Sequence, residues 1–207
     1  SNSIRQICLG SRYDGFMTTT ARASAARERI LDTAFRLFYA HGIRAVGIDR
    51  IIAESGVAKA TFYKHFPAKS DLVLTYLDRV DRVWSEQLRH AARAAGDAPA
   101  EQLVGMFDAL ATACRRDGYR GCAVINAAAE NEAGTAVHAR TVAHKNAIRA
   151  WVRDLAARAG ADDPDVLARA LTLLLDGGLA SGSVDALPDA PVVAKESARL
   201  LVAAATP

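Results

Sequence analysis

The feature that most constrains this chain is the spacing of its apolar residues, which recur every three or four positions from Ser24 almost to the C-terminus and nowhere alternate one by one. Such spacing lays an apolar stripe along a helix, whereas alternation would mark a half-buried strand. In the first segment Ile30, Ala34, Leu37 and Phe38 share one face, with Arg27, Glu28, Asp32 and Arg36 largely opposite. Gly42 stops it as a left-handed cap. Short helices are predicted over 48–55 and 58–66, broken at Gly56 and ended by Pro67. Ser70 is the expected N-cap of a long helix reaching Ala95, with Asp71 in its first turn. Further helices are predicted over 99–116, 122–131, 134–159, 163–183 and 190–204, each bounded by Gly, Pro or Asp. Nine helices and no strand make the expected fold all-α, and no fixed repeat suggests a solenoid.

Composition agrees. Half the residues are hydrophobic (51%) yet only 6% are aromatic, so the apolar part is mainly Ala, Leu, Val and Ile, in a chain of 207 residues that is long enough for a proper core. Residues 1–22 show no sustained period and are expected to form a flexible arm, with Met17 a candidate native start and Ser1-Asn2 a cloning remnant. No run of roughly 18 uncharged apolar residues occurs, nor a signal-peptide core, so the expectation is a cytoplasmic protein with no membrane partner. Cys8, Cys114 and Cys122 are odd in number and lack zinc-site spacing, so they read as reduced thiols, with no metal or cofactor called for.

Charge is unevenly placed. Residues 17–69 hold nine Lys and Arg against four Asp and Glu, whereas 70–207 hold 15 against 18. A basic block of about fifty residues is the footprint of a polyanion-binding module, because neutralising phosphates releases counterions. Within it, two short helices meet at Ser55-Gly56-Val57, where Gly permits the tight corner of a helix-turn-helix. Ile51, Ile52, Val57, Phe62 and Phe66 would pack the pair onto the first helix. The second short helix then presents Lys59, Thr61, Tyr63, Lys64 and His65 outward, groups suited to base edges and phosphates in a major groove. Lys69, beyond Pro67, could meet a phosphate near the start of the long helix, and Arg50 on the first short helix joins the set.

The segment from Ile30 to Gly42 followed by IDRIIAESGVAKATFYKHFPAKSDLV resembles the DNA-binding domain of the TetR family of bacterial transcriptional regulators. The resemblance covers about residues 24–75 and rests on T-x-Y-x-H-F with a Lys three residues later, after a Gly-Val corner. It implies a three-helix DNA-binding head with a helix-turn-helix (23–69) and a six-helix C-terminal body for ligand binding and dimerisation (70–207). Carried over by position, it makes Thr61 and Tyr63 base or phosphate contacts, Lys59 the variable base reader, and His65 and Lys69 mainly backbone contacts. Gly47 departs from the pattern, standing where the family often has a helix-capping Thr, and Ile52 stands where a small Ala is usual.

The resemblance further implies a homodimer through the last two helices, paired heads on double-stranded operator DNA, and a small-molecule effector in a cavity of the body. Independently of it, Ala168, Leu171, Leu174, Leu175, Gly178, Leu179 and Gly182 form a broad apolar stripe, echoed by Leu200, Leu201, Val202 and Ala205. A two-fold interface and a buried core helix both explain such stripes. For a largely apolar effector, Trp84, Leu88, Leu103, Met106, Phe107, Leu110 and Cys114 could supply walls, joined by Asn126, His144, Ile148 and Trp151. Asn126 and His144 are the polar candidates, since a buried amide or imidazole needs a partner. Residues 121–130 also resemble a short helix that flanks the pocket in some members of the family.

The expected role is thus a palindrome-binding repressor released by its ligand. An enzyme is the rival of another class, but no Glu-x-x-His pair occurs, and His138 and His144 lie six residues apart, on different helix faces. A redox- or metal-triggered regulator would use Cys114 and Cys122 with His138 or His144. A purely structural helical module would leave the basic T-x-Y-x-H-F helix unexplained.

Overall fold

The computed structural model describes residues 19–184 and 187–206, and all regular elements among them are helices. The arm expected over residues 1–22, with Cys8 and Met17, lies almost wholly outside the described residues; α1 (Thr19–His41) takes in its last part and begins before the expected Ser24. Next come α2 (Ile48–Ser55), α3 (Lys59–His65) and the long α4 (Lys69–Ala95). The body continues through α5 (Pro99–Gly105), α6 (Asp108–Cys114), α7 (Ala123–Ala129), α8 (Ala136–Arg158), α9 (Pro164–Val184) and α10 (Ala190–Ala205). None of them is long and apolar enough to cross a membrane.

The expected helix over 99–116 is interrupted at Met106-Phe107. There Phe107, Ala109 and Leu110 donate to carbonyls three residues back, and this tighter turn lets the consecutive Met106 and Phe107 both enter the core. Ser70 is not the N-cap of α4. That position is Ala68, whose N–H donates to Asp71 Oδ2 at 3.0 Å, so the first-turn acid does the capping.

Two apolar clusters form, and α4 serves both. The first gathers Ile30, Leu37 and Phe38 of α1, Ile51 of α2, Phe62 of α3, Phe66, and Leu72 to Leu77 at the start of α4. The second holds Leu88 and Ala92 near the end of α4 with α5, α6, α8, α9 and α10. Between Leu77 and Leu88 no residue of α4 is fully buried, and there the helix passes from one cluster to the other. The first cluster also takes in Ala127 of α7 and Val137 of α8, so the head is seated on the body by apolar contact.

The stripe on α9 turns inward, against the reading of it as a two-fold interface. Ala168, Leu171, Leu175, Gly178 and Leu179 are buried within the chain, with Gly178 against Leu110 and Ala194. On α10, Val202 is likewise buried, whereas Leu200 and Leu201 face out. The large apolar residues these two helices leave to solvent are Val166, Leu173 and Val184 on α9, and Val192, Val193, Leu200 and Leu201 on α10, with Leu173 71% and Leu200 73% exposed.

Candidate nucleic-acid interface

The corner between α2 and α3 is built as the sequence requires. Gly56 takes φ +65°, and its N–H closes α2 onto the Ile52 carbonyl at 3.2 Å. Ile51, Val57, Phe62 and Phe66 are buried and Ile52 half-buried, which fixes the faces of both helices. On α3 this leaves Lys59 and Lys64 exposed, Tyr63 40% exposed, and Thr61 and His65 half-buried at the margins. The Tyr63 ring meets Phe62 edge-on. Lys59 Nζ lies 3.5 Å from Asp49, a highly exposed contact that water and a polyanion can compete away. Gly47 precedes α2 and supplies no side-chain cap, as its identity dictates.

Arg50 and Lys69 are engaged elsewhere. Arg50 donates to Glu54 at 2.9 Å and contacts His41, while Arg36 also reaches Glu54 at 2.5 Å. The hydrogen bonds from Arg50 and Arg36 hold the Glu54 carboxyl below its usual range. Lys69 Nζ donates to the Ile43 carbonyl at 2.6 Å, and partial burial pulls its pKa down despite the nearby Glu130. An ammonium has three hydrogens, so two remain for a phosphate.

Sequence reasoning missed the contacts that tie this head to the body. Glu130, just past α7, accepts from the N–H groups of Ile43 at 3.1 Å and Arg44 at 2.7 Å. The Tyr39 hydroxyl donates to the Gly121 carbonyl at 3.0 Å and accepts from Arg120 N–H at 2.9 Å, and the Arg120 guanidinium reaches the Ala40 carbonyl. Burial raises the Tyr39 phenol, keeping it a neutral donor. All are contacts across 80 or more positions of sequence, and no local pattern announces them.

The candidate pocket residues are mostly packed solid. Leu88, Leu103, Met106, Phe107, Leu110 and Ile148 are buried in one cluster, with Trp84, Cys114 and Trp151 half-buried at its edge. Asn126 is exposed, its amide donating to the Arg120 carbonyl at 2.8 Å, so the expectation of a buried amide there fails. His144 is 2% exposed and its Nδ1 lies 2.6 Å from Asp81 Oδ1, which fixes the ring as an Nδ1–H donor to the carboxylate. Burial lowers the His144 pKa against the pull of Asp81. Asp81 also receives Arg140, and these bonds outweigh its own desolvation to hold its carboxyl low. Two surface grooves of about 290 Å³ do exist, one between α4 and α6 and one between α7 and α8, but none of the pocket candidates lines either.

Residues 30–76 match the family model described as bacterial regulatory proteins, tetR family. The chain is similar to the HTH-type transcriptional regulator LmrA of Bacillus subtilis, 33% identical over 86 residues that span 41% of this chain and 45% of that protein. An HTH-type regulator of Lactococcus lactis is 27% identical over 101 residues, covering 48% of this chain and 52% of its own length; the chain thus spans about half the length of the curated relatives it matches. A solved regulator from Chloroflexus aurantiacus shares the fold at TM-score 0.78 and 22% identity, over 89% of this chain and 98% of its own. Far more of the sequence is shared with a solved TetR-family regulator from Streptomyces coelicolor: 39% identity over 87% of this chain and 94% of that one, at TM-score 0.76. With the corner at Gly56, the outward basic helix and the helical body all matched, the chain belongs to the TetR family of transcriptional regulators.

Proposed function

We propose that this regulator is a repressor that binds a palindromic operator as a homodimer and is released by a small molecule. The observation that carries the reading is the exposed face of α3, where Lys59, Tyr63 and Lys64 are open to solvent on a scaffold whose other face is locked by Phe62. Lys59 and Tyr63 would reach base edges, Thr61 a base or phosphate, and Lys64, His65, Arg50 and Lys69 the backbone. One head reads one half-site, so a palindrome requires two copies. The outward apolar residues of α9 and α10, Leu173, Val193 and Leu200 among them, are the surface on which a second copy would sit. Burial raises both Cys114 and Cys122, which weighs against thiolate chemistry as the trigger.

The test is selection of bound fragments from a random duplex pool, with sedimentation of the complex. The expected product is an inverted repeat whose half-sites lie about 34–36 Å apart, bound by two or a multiple of two chains. Enrichment of no inverted repeat, or binding by single chains, would refute it. Repression is read from a reporter behind the selected site: its output should fall when the protein is supplied.

A further inference from the structure

The interior candidates for an effector are filled by their own side chains, and the groove between α7 and α8 offers a different place. Val124, Ile125 and Ala128 of α7 and Val142 of α8 give it an apolar wall; Ile125 and Val142 are large apolar residues that are both exposed. His138, Thr141, Lys145, Asn146 and Arg149 complete it, and no carboxylate lines it. Lys145 is held from behind by Asp176 of α9, which fixes the ammonium in place. Arg149 gives one hydrogen bond to Asn146, while its Nε–H is shielded from solvent and has no hydrogen-bond partner among the described residues. A charged donor left unpaired is costly, so a ligand in the groove that draws the Arg149 guanidinium toward it and gives the Nε–H a partner is favoured.

We propose that this groove binds a small amphipathic carboxylate, with the carboxylate on Arg149 and the apolar part on Ile125 and Val142. A guanidinium matches a carboxylate in geometry as well as charge, and water excluded by the apolar part strengthens that bond. The groove's volume, about 290 Å³, suits a ligand with one or two rings or a short acyl chain. The regulatory meaning of the site rests on the effector-released reading given above: α7 forms one wall, and Glu130 at its end holds the backbone of the α1–α2 loop. A ligand that shifted α7 would act on that hold.

The experiment is titration of methyl-labelled full-length protein, free of DNA, with 1-naphthoate and octanoate, beside 1-naphthamide and inorganic phosphate. The expected result is saturable shifts of the Ile125 and Val142 methyls with the two carboxylates, and at least tenfold weaker binding of the amide and of phosphate. Arg149→Gln should weaken carboxylate binding at least tenfold and Arg149→Lys less, with core methyls such as those of Leu103 unmoved as the sign of an intact fold. Equal binding of acid and amide, equal binding of phosphate, unchanged affinity in Arg149→Gln, shifts centred on the core, or no saturation at millimolar ligand would each overturn the assignment. Operator binding with and without 1-naphthoate is measured separately: carboxylate binding that leaves operator affinity unchanged counts against the effector-released reading and leaves the site standing.

Discussion

Removing the Glu130 carboxylate should loosen the head from the body by a calculable amount. It accepts two backbone N–H bonds, of which Ile43 belongs to a buried residue and Arg44 to an exposed one. A hydrogen bond to a charged group contributes about 1.5–3 kcal/mol when the partner left behind is buried, while water replaces most of the bond at an exposed group. Glu130→Ala should therefore cost about 2–3 kcal/mol, and Glu130→Gln, which keeps one acceptor, about half of that. Urea unfolding at fixed protein concentration measures it; with a slope of roughly 2–3 kcal/mol per M the midpoint should fall by about 1 M. A double-mutant cycle with Gly42 sharpens the test. Gly42 has φ +86°, and a Cβ added there would lie 2.8 Å from Glu130 Oε1. Gly42→Ala thus carries a left-handed backbone cost of about 1–2 kcal/mol together with displacement of the carboxylate. In the Glu130→Ala background only the backbone cost remains, so the two changes should sum to at least about 0.5 kcal/mol more than the double variant loses. A Glu130→Ala cost below about 0.5 kcal/mol, or strict additivity, would refute the reasoning.

Tyr63→Ala and Lys64→Ala should each weaken operator binding, with stability changed by less than about 0.5 kcal/mol for exposed Lys64 and by about 0.5–1.5 kcal/mol for Tyr63, whose ring packs on Phe62. Only the Lys change should flatten the salt dependence, by about 0.9 in log–log slope; an unchanged slope excludes its phosphate contact. Leu173→Asp with Leu200→Asp should yield a helical monomer in sedimentation, and a persistent dimer would place the interface elsewhere. Acid should destabilise the protein in two stages, because the folded pKa values of both His144 and Asp81 are lowered. As pH falls below about 6.5 the unfolded state takes up the His144 proton first, and as it falls below about 4 the stability from ionised Asp81 is lost. A urea midpoint constant from pH 7 to 5 would refute the first stage, and one constant from pH 5 to 3 the second.

How much of this was legible in the sequence depends on the range of the interaction. Helix type and order follow from local spacing, and the corner at Gly56 from a residue that alone adopts φ +65° without strain. Of the outward set on α3, Lys59, Tyr63 and Lys64 were equally legible, because Phe62 and Phe66 can only face in, whereas Thr61 and His65 are half-buried at the margins. The stripe on α9 stayed open between a two-fold interface and a core helix because an apolar face announces burial but not the identity of its cover; here α6 and α10 supply it from within the same chain. Asn126 was misplaced for the converse reason. Its neighbours Val124 and Ala127 do face in, but a helix of two turns shows its other side to solvent, and Asn126 lies on it. Glu130 and Tyr39 could not be found at all, since their partners are main-chain groups, which have no sequence signature.

The nature of those contacts decides what kind of motion the head can make. The apolar seat of the head on Ala127 and Val137 is short-ranged but non-directional, and a packed surface can slide somewhat at little cost. The polar ties cannot. Bonds of 2.7–3.1 Å at Glu130 and Tyr39 weaken steeply once a shift approaches 1 Å, so the head sits in its docked pose or leaves it, with little between. Most of these ties are partly exposed, and water can replace them at a net cost of about 0.5–1.5 kcal/mol each. Breaking two or three of them costs about 1–4.5 kcal/mol, which overlaps the roughly 1–3 kcal/mol that a bound effector typically supplies through coupling. The docked pose is therefore held firmly enough to dominate in the free protein, and weakly enough that one small ligand acting on α7 could reverse it.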